Sequence, residues 1–256
     1  MTPELTPQDR ERYDRNLRLA PVGEAGQRRL IESGALVVGA GGLGSAAILY
    51  LAAAGVGRLT IVESERLELS NLNRQILHRT ADIGRPKIDS AAEAVLALNP
   101  GCRVTKVAER LDAGRARAVV RGAPVVLDCT DNFTTRCVIA DACWAEGVPL
   151  VSAAVLRLEG LLLSVIPSAG SPCYRCLLPE PPPADVAPTA VQVGILGAVA
   201  GALGALQAVE AIKVLLGIGD NFAHRLLVYD GLAGTFRTVR RTRDPACVCA
   251  ASACGG

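Results

Sequence analysis

Lysine is nearly missing from this chain: of its 27 lysines and arginines only Lys87, Lys106 and Lys213 are lysine, which singles out each of them for scrutiny. An excess of charge of one sign is also missing. The net charge of +2 over 256 residues gives no electrostatic case for a nucleic acid or membrane partner. The opening segment "MTPELTPQDRERYDRNLRL" is polar and charged and lacks the apolar stretch of a secretory signal, so a cytoplasmic protein is expected. The longest apolar run, "VGILGAVAGALGAL", covers fourteen residues between Gln192 and Gln207, short of the ~20 that span a bilayer. A buried helix is expected there instead. Gly194, Gly197, Gly201 and Gly204 recur along it at helical spacing, offering a smooth face for close packing within the chain or between subunits. Cysteine, by contrast, is abundant. Nine cysteines without a secretory signal point to metal-binding or catalytic thiols rather than a disulfide framework.

Half of the residues are hydrophobic, enough for one large domain with a substantial core. The first residues read as a short helix, a loop and a second helix. Strand and helix patterns then alternate: "GALVVGA" and "GRLTIVE" are strands around the helix "SAAILYLAAAGV", and "KIDSAAEAVLALNP" is a helix leading to the strand "RVTKVAERL". "PVVLDCTD" is a fourth buried strand, followed by the helix "NFTTRCVIADACWAEG". This order predicts an α/β fold: a Rossmann-like, mostly parallel sheet with helices on both faces. From about Pro149 the pattern changes to a mixed or antiparallel second half. Paired strands are expected around Glu159-Gly160 and a hairpin near Asp230-Gly231, with a proline-rich loop and the glycine-lined helix between them. No internal repeat is present.

Gly39, Gly41 and Gly44 spell G-x-G-x-x-G between a strand and a helix, with Gly42 inside the motif. Glycine lets backbone turn tightly and approach a phosphate, and the helix start offers unpaired N–H groups. Glu63 ends the next strand, placed to accept from ribose hydroxyls. The motif alone would suit a dinucleotide dehydrogenase, or merely a tight turn. The residues beyond Glu63 suit a polyphosphate better: Asn71, Arg74, Gln75 and Lys87 crowd the region after the second strand, where cations would neutralise a leaving pyrophosphate. The plain alternative is a set of solvated loop charges. Asp128 and Asp131 sit at the end of the fourth strand, where open α/β sheets bind ligands and a carboxylate can hold Mg²⁺. Asp131 or Asn132 would equally serve as a helix N-cap. Cys173 and Cys176 form C-x-x-C, and Cys247 and Cys249 come about seventy residues later. Four thiolates of this kind suit a structural tetrahedral zinc, with Cys249 and Cys254 competing for the last place. Cys102, Cys129, Cys137 and Cys143 fall in apolar elements as small core residues.

The segments "RYDRN", "GAGGLGS", "SNLNRQ", "GRPK", "LDCTDN", "PCYRC" and "LQAVEAIK", with the cysteine tail, together resemble the ThiF/MoeB/HesA family, related to the adenylation domains of ubiquitin-activating enzymes. The resemblance runs through nearly the whole chain. It implies a single adenylation domain over residues 1–256, with an N-terminal helical arm (1–34), a nucleotide-binding half (35–148) and a carrier-binding, zinc-bearing half (149–256). It implies an ATP-dependent adenylyltransferase that activates the C-terminal Gly-Gly carboxylate of a small ubiquitin-like sulfur carrier, for molybdopterin- or thiamine-type sulfur transfer. Gly39, Gly41, Gly42 and Gly44 would hold the nucleotide, Glu63 its ribose, Asn71, Arg74 and Lys87 its phosphates, and Asp131 the magnesium. Arg15 would reach into a partner subunit's site, making the enzyme a homodimer.

Departures from the family pattern also matter. Glu63 and Glu65 stand where aspartate is usual, and Ala190 stands where many members carry a cysteine. Alanine forms no thioester or persulfide, so an external sulfur donor is expected. No C-terminal sulfurtransferase segment is present in the sequence, and the Gly255-Gly256 ending is read as coincidence. Rival readings at this level are an NAD(P)-dependent oxidoreductase, an inactive scaffold on the same fold, and a relative that adenylates another peptide C-terminus.

Overall fold

The computed structural model describes residues 4–182, 190–247 and 249. The N-terminal arm consists of α1 (Pro7–Arg12), α2 (Asp14–Leu17) and α3 (Gly23–Glu32). Thr6 and Asp9 close a reciprocal capping box on α1, satisfying backbone donors that a helix start leaves unpaired. Five strands are parallel: β1 (Gly34–Val38), β2 (Arg58–Val62), β3 (Arg103–Val107), β4 (Val126–Asp128) and β5 (Leu150–Leu156). Between them run α4 (Gly42–Ala54), α5 (Lys87–Leu98), α6 (Ala113–Val120) and α7 (Phe133–Ala145). Then come β6 (Glu159–Val165), α8 (Ala190–Val193), α9 (Gly197–Leu216), β7 (Arg225–Asp230) and β8 (Thr235–Arg240), the three strands antiparallel to their neighbours.

One sheet results, in the order β3-β2-β1-β4-β5-β6-β7-β8. Every residue of β1 is buried because both of its faces are covered. Ala35 and Val37 enter the core formed with α3, α4, α5 and α9, while Leu36 and Val38 enter the core formed with α6 and α7. The chain leaves β1 toward β2 and β3, then returns to place β4 on the other side. The β1/β4 boundary is thus a topological switch point, where a crevice opens beyond the strand ends.

The expected mostly parallel sheet with an antiparallel second half is what forms. Local details differ. Residues 113–120 form a helix, α6, that the sequence pattern does not announce; the Asp112 side chain caps it by accepting from the Arg115 N–H at 2.7 Å. The first hairpin turns at Arg157-Leu158, with Arg157 at φ 56°, and Glu159-Gly160 already belongs to β6. Gly160 serves packing rather than the turn, since a Cβ there would lie 2.6 Å from Leu203 of α9. Asp230 does start the second turn, its carboxylate accepting from the N–H groups of Leu232 and Ala233. The apolar run from Val193 divides between α8 and α9, so Gly194 lies ahead of the glycine-lined helix. Within α9, Gly204 lets the helix meet α4, as a Cβ would stand 2.2 Å from the Leu43 carbonyl oxygen. By length and composition α9 alone among the described helices is apolar enough to cross a membrane, and most of it is buried inside the protein.

Candidate active site

The strand-to-helix turn after β1 is fixed by its glycines. Gly39 has φ 98°, and a Cβ there would stand 2.9 Å from the Cys129 carbonyl oxygen. A Cβ on Gly44 would fall 1.9 Å from the oxygen of Gly39, so Gly44 allows the loop to fold against α4. Gly41 differs. The nearest atom to its Cβ position is Gln75 Nε2 at 3.7 Å, so nothing in the protein requires glycine there. That space belongs to a cavity of about 590 Å³ which Gly39, Gly41 and Gly42 line together with Glu63, Arg74, Lys87 and Asp131. Gln75 lines the same wall, and its Oε1 is buried without a hydrogen-bond partner.

Side chains with no sequence signature brace the loop. His78 is buried; its Nε2 lies 2.9 Å from the Ala40 carbonyl and its Nδ1 2.7 Å from Ser90 Oγ. A carbonyl only accepts, so Nε2 carries the proton and donates to it. Burial lowers the pKa of this ring below its ordinary value, favouring the neutral form. Glu63 follows directly on β2, and its carboxylate accepts from the N–H groups of Ala40 (3.0 Å), Ser64 and Glu65 (2.8 Å each). A carboxylate offers about four acceptor positions, so three backbone bonds leave it room for one more donor.

Lys87 opens α5 and is 4% exposed. Its Nζ donates to Glu65 Oε2 at 2.7 Å, and that hydrogen bond is the leading cause holding the Glu65 carboxyl below its ordinary pKa. Arg74 lines the same cavity, steadied by the Ser70 carbonyl and the Asn73 side chain at 3.0 and 3.1 Å. Two further cations join them: Arg110, from the loop after β3, and Arg136, buried on the first turn of α7, where it donates to the Thr130 carbonyl. Four cationic groups line the cavity beside the carboxylates of Glu63, Glu65, Glu109 and Asp131, so it can meet phosphate oxygens with its arginines and lysine and a metal ion or hydroxyl with its acids.

At the end of β4 the two aspartates separate. Asp128 is buried and accepts from Thr130 Oγ1 and Ser152 Oγ, each at 2.7 Å, which makes it a strut of the sheet rather than a cavity group. Asn132 caps α7 by accepting from the Thr135 N–H at 2.9 Å, leaving Asp131 on the cavity wall.

Not every expected residue reaches the cavity. Asn71 turns inward, its Oδ1 accepting from the Glu68 N–H at 3.2 Å, so it shapes the loop that presents Arg74. Arg15, expected to serve a partner subunit's site rather than this one, stands away from the cavity, 86% exposed beside Asp14. Its neighbours explain this: Tyr13 is buried with its hydroxyl accepting from Asn99, and Asn16 donates to Gln27, so the motif grips the body through other residues and turns Arg15 outward. Arg110, Arg136 and His78 carried no sequence signature. Arg110, three residues past β3, and Arg136, on the first turn of the helix after β4, both lie beyond the carboxyl ends of strands, the signal that would have found them.

The second expected centre assembles. The Sγ atoms of Cys173, Cys176, Cys247 and Cys249 all lie within 4.8 Å of one another, with neighbouring pairs at 3.3, 3.4 and 3.9 Å. Tetrahedral zinc with Zn–S bonds of about 2.3 Å needs sulfur separations of about 3.8 Å, so this donor set fits. Cys249 supplies the fourth sulfur of this cluster; Cys254 and Gly255-Gly256 lie outside the described residues. The four remaining described cysteines are buried in the core, and burial pushes the Cys102 thiol up to about 11, leaving it a poor nucleophile.

A doubly wound sheet with a glycine loop at its switch point, a cavity beyond its strand ends and four clustered cysteines define an α/β protein of the Rossmann-like class. Residues 13–249 match the profile of the ThiF family, and the chain belongs to that family. The SAMP-activating enzyme E1 of Haloferax volcanii is 45% identical over 247 residues, 96% of this chain and 91% of that protein. Adenylyltransferase and sulfurtransferase MOCS3 of Bos taurus is 46% identical over 252 residues, 98% of this chain but 54% of that protein. The chain therefore spans about half the length of its MOCS3 relatives. Among solved structures, E. coli MccB with ATP superposes with a TM-score of 0.80 at 18% identity, over 93% of this chain and 72% of that one, a likeness of fold.

Proposed function

We propose that this chain adenylates the C-terminal Gly-Gly carboxylate of a small ubiquitin-like sulfur carrier protein, using ATP. That it is an adenylyltransferase is supported by its family, by MOCS3 relatives named for that activity and by a relative named as an activating enzyme. The carrier and the nucleotide are our inference. The observation that carries it is the pairing of Gly41, whose missing Cβ serves only the cavity, with Arg74 and nearly buried Lys87 on the cavity wall.

The glycine loop and the start of α4 would receive the nucleotide, with the open acceptor position of Glu63 on its ribose. Arg74 and Lys87, with Arg110 and Arg136 beside them, would face the phosphates. A carboxylate oxygen of the carrier's last glycine attacks the α-phosphorus. The bond from that phosphorus to the bridging oxygen breaks, and pyrophosphate departs with the electron pair. No proton needs to move, so positioning and charge neutralisation carry the rate. Lys87 is paired to Glu65 beforehand and would exchange this carboxylate for phosphate oxygen. Asp131, on the cavity wall, would hold Mg²⁺, which when bound would supply further neutralisation of phosphate charge. The cysteine quartet would hold a structural zinc that joins the chain's end to the region after β6.

The finer assignments belong to the same reading. Residues 1–34 form an arm, 35–148 a nucleotide half and 149–256 a carrier and zinc half. The active unit is a cytoplasmic homodimer in which exposed Arg15 serves the partner's cavity. Sulfur comes from an external donor, as Ala190 provides no thiol. A dehydrogenase would leave the cationic wall without a task. Exchange of labelled pyrophosphate into ATP tests the proposal: exchange is expected only when a Gly-Gly-ending carrier is present, and its absence with carrier supplied would refute it.

A further inference from the structure

Arg241 comes directly after the last strand, β8, and is buried at 7% exposure. Its guanidinium makes four hydrogen bonds, all to backbone carbonyls. Nη1 donates to Ser164 (3.0 Å) and Ala223 (3.3 Å), and Nη2 to Pro172 and Cys173 (3.2 Å each). Among the described residues no carboxylate lies within ion-pair distance of it. Asp141 pairs with Arg175 at 2.7 Å and Glu210 with Lys213, while Asp244, three residues along the chain, accepts from the Ala246 N–H at 2.8 Å. Carbonyl dipoles satisfy the donors of a buried cation but leave its net charge unmatched, and such a charge is costly without an opposite one.

The missing charge is next door. One fork of Arg241 holds the carbonyls of Cys173 and of the residue before it, so the cation sits against the loop that presents two of the four sulfurs. A divalent cation held by four thiolates carries a net of roughly two negative charges. The backbone N–H of Asp244, 3.4 Å from Cys176 Sγ, offers a hydrogen bond to one of those sulfurs but no charge. Arg243 stands on the same segment, directed at the Ser171 carbonyl and the Trp144 ring.

We propose that Arg241 is the counter-cation of the cysteine metal site: its charge stabilises the metal–tetrathiolate carried by the loop it holds. It is a positioning residue, outside the adenylation cavity. The inference rests on the reading that the quartet holds zinc.

The test uses full-length protein loaded with zinc, and compares wild type with Arg241→Gln and Arg241→Lys. Zinc transfer to a chromophoric chelator measures affinity, Co²⁺ substitution reports the thiolate charge-transfer band, and melting is followed with and without metal. Loss of an outer group of this kind typically costs about 10–100-fold in metal affinity, which is the fall expected for Arg241→Gln. Its metal-dependent rise in Tm should shrink correspondingly. Arg241→Lys, which keeps the charge, should bind zinc within a few-fold of wild type with the Co²⁺ band retained. Zinc affinity in Arg241→Gln equal to wild type, or the same Tm loss with and without metal, would overturn the proposal. Should Arg241→Gln fail to fold, Arg241→Lys decides: affinity within a few-fold supports the charge role, and a tenfold fall refutes it. A wild-type protein that takes up neither metal would instead refute the zinc reading itself.

Discussion

Lys87 Nζ and Glu65 Oε2 lie 2.7 Å apart, the lysine 4% exposed and the carboxylate 56% exposed at the cavity mouth. The pair joins the end of β2 to the start of α5, and it places a cation where a phosphate would be wanted, already matched by an anion that solvent can readily take back. Lys87→Ala is therefore expected to fold, because Glu65 is mostly solvated when left alone, and to lose pyrophosphate exchange by about 10²-fold or more, the scale of losing one donor to developing charge. Exchange kinetics beside circular dichroism check this. A near-normal rate would remove Lys87 from the site.

The same pair gives a pH signature. The folded-state pKa of Glu65 is depressed below 4.5, chiefly by the hydrogen bond from Lys87. A depressed carboxylate pKa contributes stability that is present above the unfolded value and lost as pH falls through the folded one. Glu65→Gln is expected to melt somewhat below wild type at pH 7, and the difference should shrink as pH falls from the ordinary carboxylate range through the lower folded-state value. The effect is small because the group is more than half exposed. A gap in Tm that stays constant across that range would show that the ion pair is not its source.

His78 acts in a higher window. Burial holds its folded-state pKa below the ordinary 6.5, so the unfolded chain binds the proton more readily. Stability should fall as pH drops from 6.5 toward the folded-state value, because there the unfolded state gains protons that the native state does not. His78→Gln is expected to flatten this slope and to weaken ATP binding several-fold by loosening the Ala40 carbonyl. Urea unfolding at a series of pH values measures the slope; equal slopes in both proteins would remove His78 from the explanation.

Two glycines of one motif should part company when each becomes alanine. At Gly44 the new Cβ would lie 1.9 Å from the Gly39 oxygen. Gly44→Ala is expected to cost about 1–3 kcal/mol or more in stability, as overpacking does. Gly41→Ala meets no protein atom nearer than 3.7 Å. Its Tm should stay close to wild type while the Kd for ATP rises about tenfold, roughly 1.4 kcal/mol. Calorimetric titration and thermal melts separate the two. Intact nucleotide affinity in Gly41→Ala would place the phosphates elsewhere.

Much of this arrangement was legible in the chain because its signals are local. A strand, a cluster of glycines and a helix in direct succession state their own geometry, as do C-x-x-C and a second cysteine pair. Where the meaning depends on what lies across space, the sequence was silent. Asn71 sits in the most distinctive segment yet faces the loop interior, because a side chain that caps a backbone N–H satisfies itself locally before it meets a ligand. Arg110 and Arg136 reach the cavity only because β3 and β4 end at the same edge of the sheet. Helix α6 is hard to read because Gly114 and its arginines blur the apolar stripe, leaving Ala116 and Val120 to hold it to the core. The Glu159-Gly160 pair imitates a turn, although glycine is needed there for the approach of Leu203.

The adenylated carrier itself is the most direct object to detect. Intact mass spectrometry of a Gly-Gly-ending ubiquitin-like protein, incubated with this enzyme, ATP and magnesium and quenched with hydroxylamine, should show its C-terminus converted to the hydroxamate, the mark of an acyl-adenylate, with AMP released in equal amount. A carrier recovered wholly unmodified while the enzyme is folded and metal-loaded would contradict the account.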